Sequence, residues 1–123
     1  MDWFRCALEF FEAFLVALRA ESLRLHSTPR LALETARARG LRRGRRTEEE
    51  RARLRRLIRA IDRRFPLGAN CYRRVLAEIA MDSGAASEPV HVGLKARGKP
   101  GSGHVWLSSN PDFAAPYDME FVA

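Results

Sequence analysis

Apolar positions recur along the first third of the chain at helical spacing. Phe4, Leu8, Phe11, Leu15 and Leu18 follow one another at steps of four and three, one face of a 3.6-residue period. Trp3, Phe10 and Phe14 widen that stripe, and the pattern predicts a helix over residues 3–24. A face this aromatic packs on something. The reading assigns it to the core, with a docking surface for a partner as the alternative. Thr28-Pro29 opens a second helix, with Thr28 as cap and Pro29 at the first helical position. Gly40 and Gly44 are expected to end it. Thr47-Glu-Glu-Glu50 is a capping box before a third helix with Leu54, Leu57, Ile58, Ile61 and Phe65 on its apolar side and arginines opposite. Pro66-Leu-Gly68 stops it. A fourth helix starts at Asn70 or Cys71, buries Val75, Leu76, Ile79 and Ala80, and stops at Ser83-Gly84.

The period then changes to two. Val90–Leu94, His104–Ser108 and Tyr117–Val122 read as three strands, separated by the turn-rich stretches Arg97–Gly103 and Ser109–Asp112. Helices first and an antiparallel meander afterwards make an α+β chain, with the middle strand carrying His104. The expected architecture is a set of N-terminal helices, then a helix packed on a three- or four-stranded antiparallel sheet. A single domain is expected, with a helical region over 1–46 and the rest over 47–123.

Length and charge narrow the function. The chain has 123 residues, one domain's worth, with 46% apolar and 30% charged residues, a composition of folded rather than disordered protein. The N-terminal apolar stretch is broken by Arg5, Glu9 and Glu12, which argues against a secretory signal and a membrane span. Two cysteines, Cys6 and Cys71, form no disulfide framework, so a reduced, cytoplasmic setting is expected. The formal charge of +7 is local. Residues 37–64 hold thirteen Arg against Glu48, Glu49, Glu50 and Asp62, a net of +9, and the remaining residues sum to −2. Such a segment is either a solvated helix face or a binding surface for nucleic acid, an acidic peptide or an anionic surface. Aromatic residues are not interleaved with the arginines, so base stacking has little support and a nucleic-acid partner is not expected. No nucleotide loop, zinc quartet or other cofactor or metal site is present.

Cys71 is the residue with chemistry. With Asn70 as N-cap it sits at the first helical position, where unpaired N–H groups and the helix dipole stabilise a thiolate, and Arg73 and Arg74 add positive potential. The Cys71 N–H and the Asn70 amide are candidate oxyanion donors. His26, His91 and His104 compete as its base. His104 and Trp106, two apart on one strand, share a face. A third strand alongside would bring Asp118 against the imidazole as orienting acid, with Asp112 as runner-up. A cysteine at a helix start also serves as a small buried hydrophobe, and the residues alone leave both roles open.

The order of parts resembles the transglutaminase-like cysteine peptidases. More narrowly it is similar to the leader peptidase, or B protein, of lasso peptide biosynthesis in its stand-alone form. That family has a Cys-Leu-x-Arg-Ala-Leu-like helix start, matched by Cys71, Arg74 and Leu76, with Tyr72 and Val75 as departures. Its Val-Ile-Gly-Val-like strand corresponds to Val90–Leu94 with Gly93, and its Ala-His-Ala-Trp-Val-Glu-like strand to Gly103–Ser108 with His104 and Trp106. Ser108 stands where the family has glutamate. The resemblance implies a Cys71–His104–Asp118 triad supported by Asn70 and Trp106. It also implies a precursor leader peptide as substrate, a separate leader-recognition protein as partner, and a macrolactam cyclase acting on the product. The alternative is a basic binding or scaffold module that has the fold and no activity.

Overall fold

The computed structural model describes residues 3–66, 68–94, 103–109 and 119–123. The chain is α+β and mostly helical, with a small antiparallel sheet at its C-terminal end. Five helices come first: α1 (Trp3–His26), α2 (Pro29–Leu41), α3 (Glu48–Asp62), α4 (Cys71–Met81) and the single turn α5 (Ser83–Ala86). Strands β1 (Val90–Leu94), β2 (His104–Leu107) and β3 (Met119–Val122) follow. The residues cluster into two compact units, Met1–Ser87 and Glu88–Ala123.

Local chemistry sets the helix starts. Thr28 accepts from the Leu31 N–H at 3.2 Å with Pro29 in the first turn. Thr47 and Glu50 exchange side chain-to-backbone bonds of 3.2 and 3.1 Å, the reciprocal capping box read from the sequence. The Asn70 side chain accepts from the Arg73 N–H at 2.9 Å and opens α4 at Cys71. The far end of α4 differs from expectation. It stops at Met81, because Asp82 takes an extended conformation and turns its carboxylate onto the Gly84 and Ala85 N–H groups, starting α5.

The helical unit is built around α4, whose residues Val75 to Met81 are all buried, and which packs against α1, α2, α3 and α5. The expectation for α1 is overturned. Its aromatic stripe faces outward, with Phe4 62%, Leu8 53% and Phe11 60% exposed. The buried face is Ala13, Val16, Ala17 and Ala20, a second apolar stripe at the same period half a turn away. Small side chains on that face let α1 lie close to its neighbours, an approach that phenylalanines would prevent.

Gly40 follows the same logic. It does not end α2 but lies inside it, buried, against the backbone of α4. A Cβ there would fall 1.8 Å from the Ile79 carbonyl oxygen and 2.9 Å from the Ala86 Cβ. The arginines of α3 are also not all solvated. Arg51 and Arg55 reach the buried Glu78 of α4 at 2.8 and 3.0 Å.

In the sheet unit the strand order is β2-β1-β3, not the meander expected. β1 is central. It pairs with β2 through Val90↔Leu107, His91↔Trp106 and Gly93↔His104, and with β3 through His91↔Val122 and Gly93↔Glu120. His104 therefore sits on an edge strand, and β3 lies two strand spacings, about 10 Å, from β2. Alternation reveals which residues of a strand share a face. It carries no information on which strand is its neighbour.

Gly40→Ala is expected to cost at least about 2 kcal/mol, since neither the Ile79 carbonyl nor α2 can give way without opening the bundle. Gly44→Ala, with nothing within 4 Å of the added methyl, is the matched control. Urea denaturation of the two variants checks the difference.

Candidate active site

The first turn of α4 is held by a buried ion cluster. The Arg73 guanidinium, 2% exposed, donates from Nε to Asp62 Oδ1 at 2.6 Å and from Nη2 to the Gly68 carbonyl at 2.7 Å, and its Nη1 pairs with Glu21 of α1. The second oxygen of Asp62 accepts the Asn70 N–H at 2.9 Å, and Arg74 Nε lies 3.5 Å from it. The Phe65 ring lies under the guanidinium carbon at 3.8 Å to its centroid. Gly68, at φ +85°, has the left-handed conformation that suits glycine and aims its carbonyl at Arg73. One side chain thus joins α1, the end of α3 and the α3–α4 loop to the residues that start α4.

Cys71 is half-buried at the first position of α4, as the cap predicted. Asn70 Oδ1 is committed to the Arg73 N–H, and the Asn70 carbonyl accepts the Arg74 N–H at 3.1 Å. Among the described residues no acceptor takes the Cys71 or Tyr72 N–H, so the donors beside the sulfur are those of the first two helical residues. Burial pushes the Tyr72 phenol above its ordinary pKa, so it stays a protonated donor. The positive potential expected from Arg73 is cancelled, because Asp62 and Glu21 neutralise it at contact. Arg74, the more exposed of the two arginines, also lies against Asp62, so the feature left beside the sulfur is the helix terminus with its N–H donors.

The histidines of the sheet flank one indole. Trp106 is buried, with the His91 ring stacked at 5.4 Å and 12° and the His104 ring at 6.0 Å and 19°. His91 stands opposite Trp106 in the register and His104 opposite Gly93, so all three side chains share a face. His91 Nε2 is 2.7 Å from the Ser108 hydroxyl. His26 is the exposed last residue of α1. Asp118 and Asp112 lie outside the described residues.

Sequence reasoning missed Asp62, Glu21 and the pairing of His91 with Ser108. Asp62 reads as one acid in a basic helix, and only its position eleven residues before Arg73 hints at a partner. A separate cleft of about 680 Å³ lies between α1 and α3, lined by Cys6, Glu9, Glu12, Arg46, Glu50 and Arg53 among others, and Cys71 is not part of its wall. Among the described residues no group of His, Cys, Asp and Glu is arranged to hold a metal ion, and no helix is long and apolar enough to cross a membrane. Comparison with protein-family models, curated proteins and solved structures finds no match to this chain.

Arg73→Ala is expected to destabilise the fold by about 3 kcal/mol, because the buried Asp62 loses its contact cation and keeps only the Asn70 N–H and the longer Arg74 contact. Arg73→Lys should recover little of this, since one ammonium cannot serve Asp62, Gly68 and Glu21 together. Urea midpoints of the two variants test both statements.

Glu21 adds a pH dependence. Burial alone would raise its pKa, but the hydrogen bonds and charges of Arg73 and Arg24 prevail and hold it below the ordinary 4.5. Its contribution to stability is complete above the unfolded-state value and is lost as pH falls through the lower folded-state value. Glu21→Gln should therefore flatten the fall in denaturation midpoint below about pH 4.5.

Proposed function

We propose that this protein is a cysteine peptidase of transglutaminase-like type that removes the leader from a ribosomally made precursor of the lasso peptide kind. The observation that carries the reading is the placement of Cys71 at the first position of α4, beside two backbone donors that no acceptor among the described residues takes. A sulfur there has what acyl transfer asks of a nucleophile's surroundings: backbone N–H groups at a helix terminus, placed to receive the oxyanion. Support from the sheet unit is the face shared by His104 and Trp106.

In this reading the Cys71 sulfur, having given its proton to His104, attacks the scissile carbonyl carbon. The tetrahedral oxyanion takes the Cys71 and Tyr72 N–H groups. Collapse breaks the C–N bond, and His104 returns the proton to the leaving amine. Water, deprotonated by His104, then hydrolyses the thioester and frees the leader as a carboxylate. The family resemblance names Asp118 as the orienting acid; the strand order, with β1 between β2 and β3, withdraws the expectation that the third strand lies beside His104. The reading also assigns leader capture to a separate recognition protein and closure of the freed core to a macrolactam cyclase.

The alternative, a basic nucleic-acid-binding or scaffold module, is weakened by what the arginines do. Arg43, Arg46, Arg51, Arg53 and Arg55 all pair with acids of the chain itself. Such pairs leave less free charge to release counterions from a duplex.

The test uses a precursor peptide and its recognition protein with the full chain. Cys71→Ala and His104→Ala should each lower leader cleavage at least about 10³-fold with unchanged circular dichroism. Iodoacetamide should alkylate Cys71 and abolish cleavage, and His104→Ala should slow that alkylation. Cleavage retained in Cys71→Ala ends the assignment.

A further inference from the structure

We propose that α1 pairs with α1 of a second copy of this chain, making the protein a homodimer through its outward apolar face. Phe4, Leu8, Phe11, Leu15 and Leu18 are 39–62% exposed, while Ala13, Val16, Ala17 and Ala20 fasten the other side of the helix to its own bundle. This inversion separates α1 from an ordinary amphipathic helix, whose large apolar side chains turn inward. The outward face carries no charged residue from Trp3 to Leu18. Arg5, Glu9 and Glu12 lie on its borders or on the inward side, where Glu9 and Glu12 meet Arg46 and Arg43 of the same unit.

The occupant follows from spacing, area and charge. The five exposed positions alternate at intervals of four and three, the heptad seam that a partner helix fills with knobs in holes. With Trp3, Phe10 and Phe14 the exposed apolar side chains offer on the order of 800 Å², the share one partner gives to a standard interface. A second copy presents the same area and the same uncharged seam, so the contact is self-complementary about a twofold axis. The residues bordering the seam alternate in sign: Arg5, Glu12 and Arg19, one heptad apart. An antiparallel pairing that sets Leu15 against Leu18 of the other copy places Glu12, already joined to Arg43 of its own chain, beside the other copy's Arg19, and Leu8 against the other copy's Leu25. A parallel pairing sets these charges beside Ala7 and Phe14 instead.

The inference stands independently of the peptidase reading and is tested without any substrate. Sedimentation equilibrium of the full chain at 5–100 µM (on the order of working concentrations for such interfaces) should give twice the 14.0 kDa chain mass. Leu8→Glu/Leu15→Glu should shift the dissociation constant upward at least about 100-fold with helicity unchanged, because neither residue belongs to the core. A chain with Leu8→Cys and Leu25→Cys, and with Cys6→Ala and Cys71→Ala, keeps the fold intact by another route. Under mild oxidation it should form interchain disulfides, since its own two sulfurs are a helix length of about 25 Å apart. A wild-type chain that stays monomeric, a Glu variant that dimerises as well as wild type, or a double-cysteine chain that forms no interchain bridge overturns the proposal. So does a monomer that binds phosphatidylserine vesicles or a recognition protein through this face, since the occupant would then be lipid or another protein.

Discussion

The helical unit depends on one buried charge having enough partners. Arg73 sits among α1, α3 and the loop before α4, and desolvating its guanidinium would be prohibitive without Asp62, Glu21 and the Gly68 carbonyl. Those partners come from three different stretches of chain. The cluster therefore satisfies itself only when α1, α3 and α4 are all in place, which links the start of α4 to the rest of the bundle. Cys71 and its cap Asn70 inherit their position from that arrangement. Asp62 holds the Asn70 backbone with one oxygen and Arg73 with the other.

The basic segment takes on a different meaning in this light. Its charge arises partly because the acids that balance it lie elsewhere in the sequence: Glu9, Glu12, Glu78 and Asp82. Glu78 and Asp82 are buried, so Arg51 and Arg55 supply the compensation that their carboxylates need. A count of charge by segment treats the arginines as a surface, whereas folding makes several of them an internal counterweight.

What was legible in the sequence was what local chemistry decides. Thr28, Thr47 and Asn70 each cap the helix that follows because a side chain and a backbone three residues on suffice to make the bond. The alternation of Val90–Leu94 gave its strand for the same reason. What escaped was orientation between elements. In α1 both the aromatic and the alanine stripe have the helical period, and size favoured the wrong one, since close approach of backbones selects small side chains. Gly40 reads as a terminator when its neighbour across the bundle is unknown. For the site, the position of Cys71 and the face shared by His104 and Trp106 were readable. The charge balance around Arg73 and the central place of β1 were not, because both depend on residues remote in the chain.

The alanine-lined interior of the helical unit has a thermal consequence. Much of its core is Ala13, Ala17, Ala20, Ala32, Ala36, Ala77 and Ala80, while the largest apolar side chains of α1 stay in water in the folded chain. Unfolding a single chain then uncovers little new hydrocarbon per residue, and the heat-capacity increment shrinks with it. A small increment flattens the dependence of stability on temperature, so an isolated chain resists cold as well as heat over a broad span without being very stable anywhere within it.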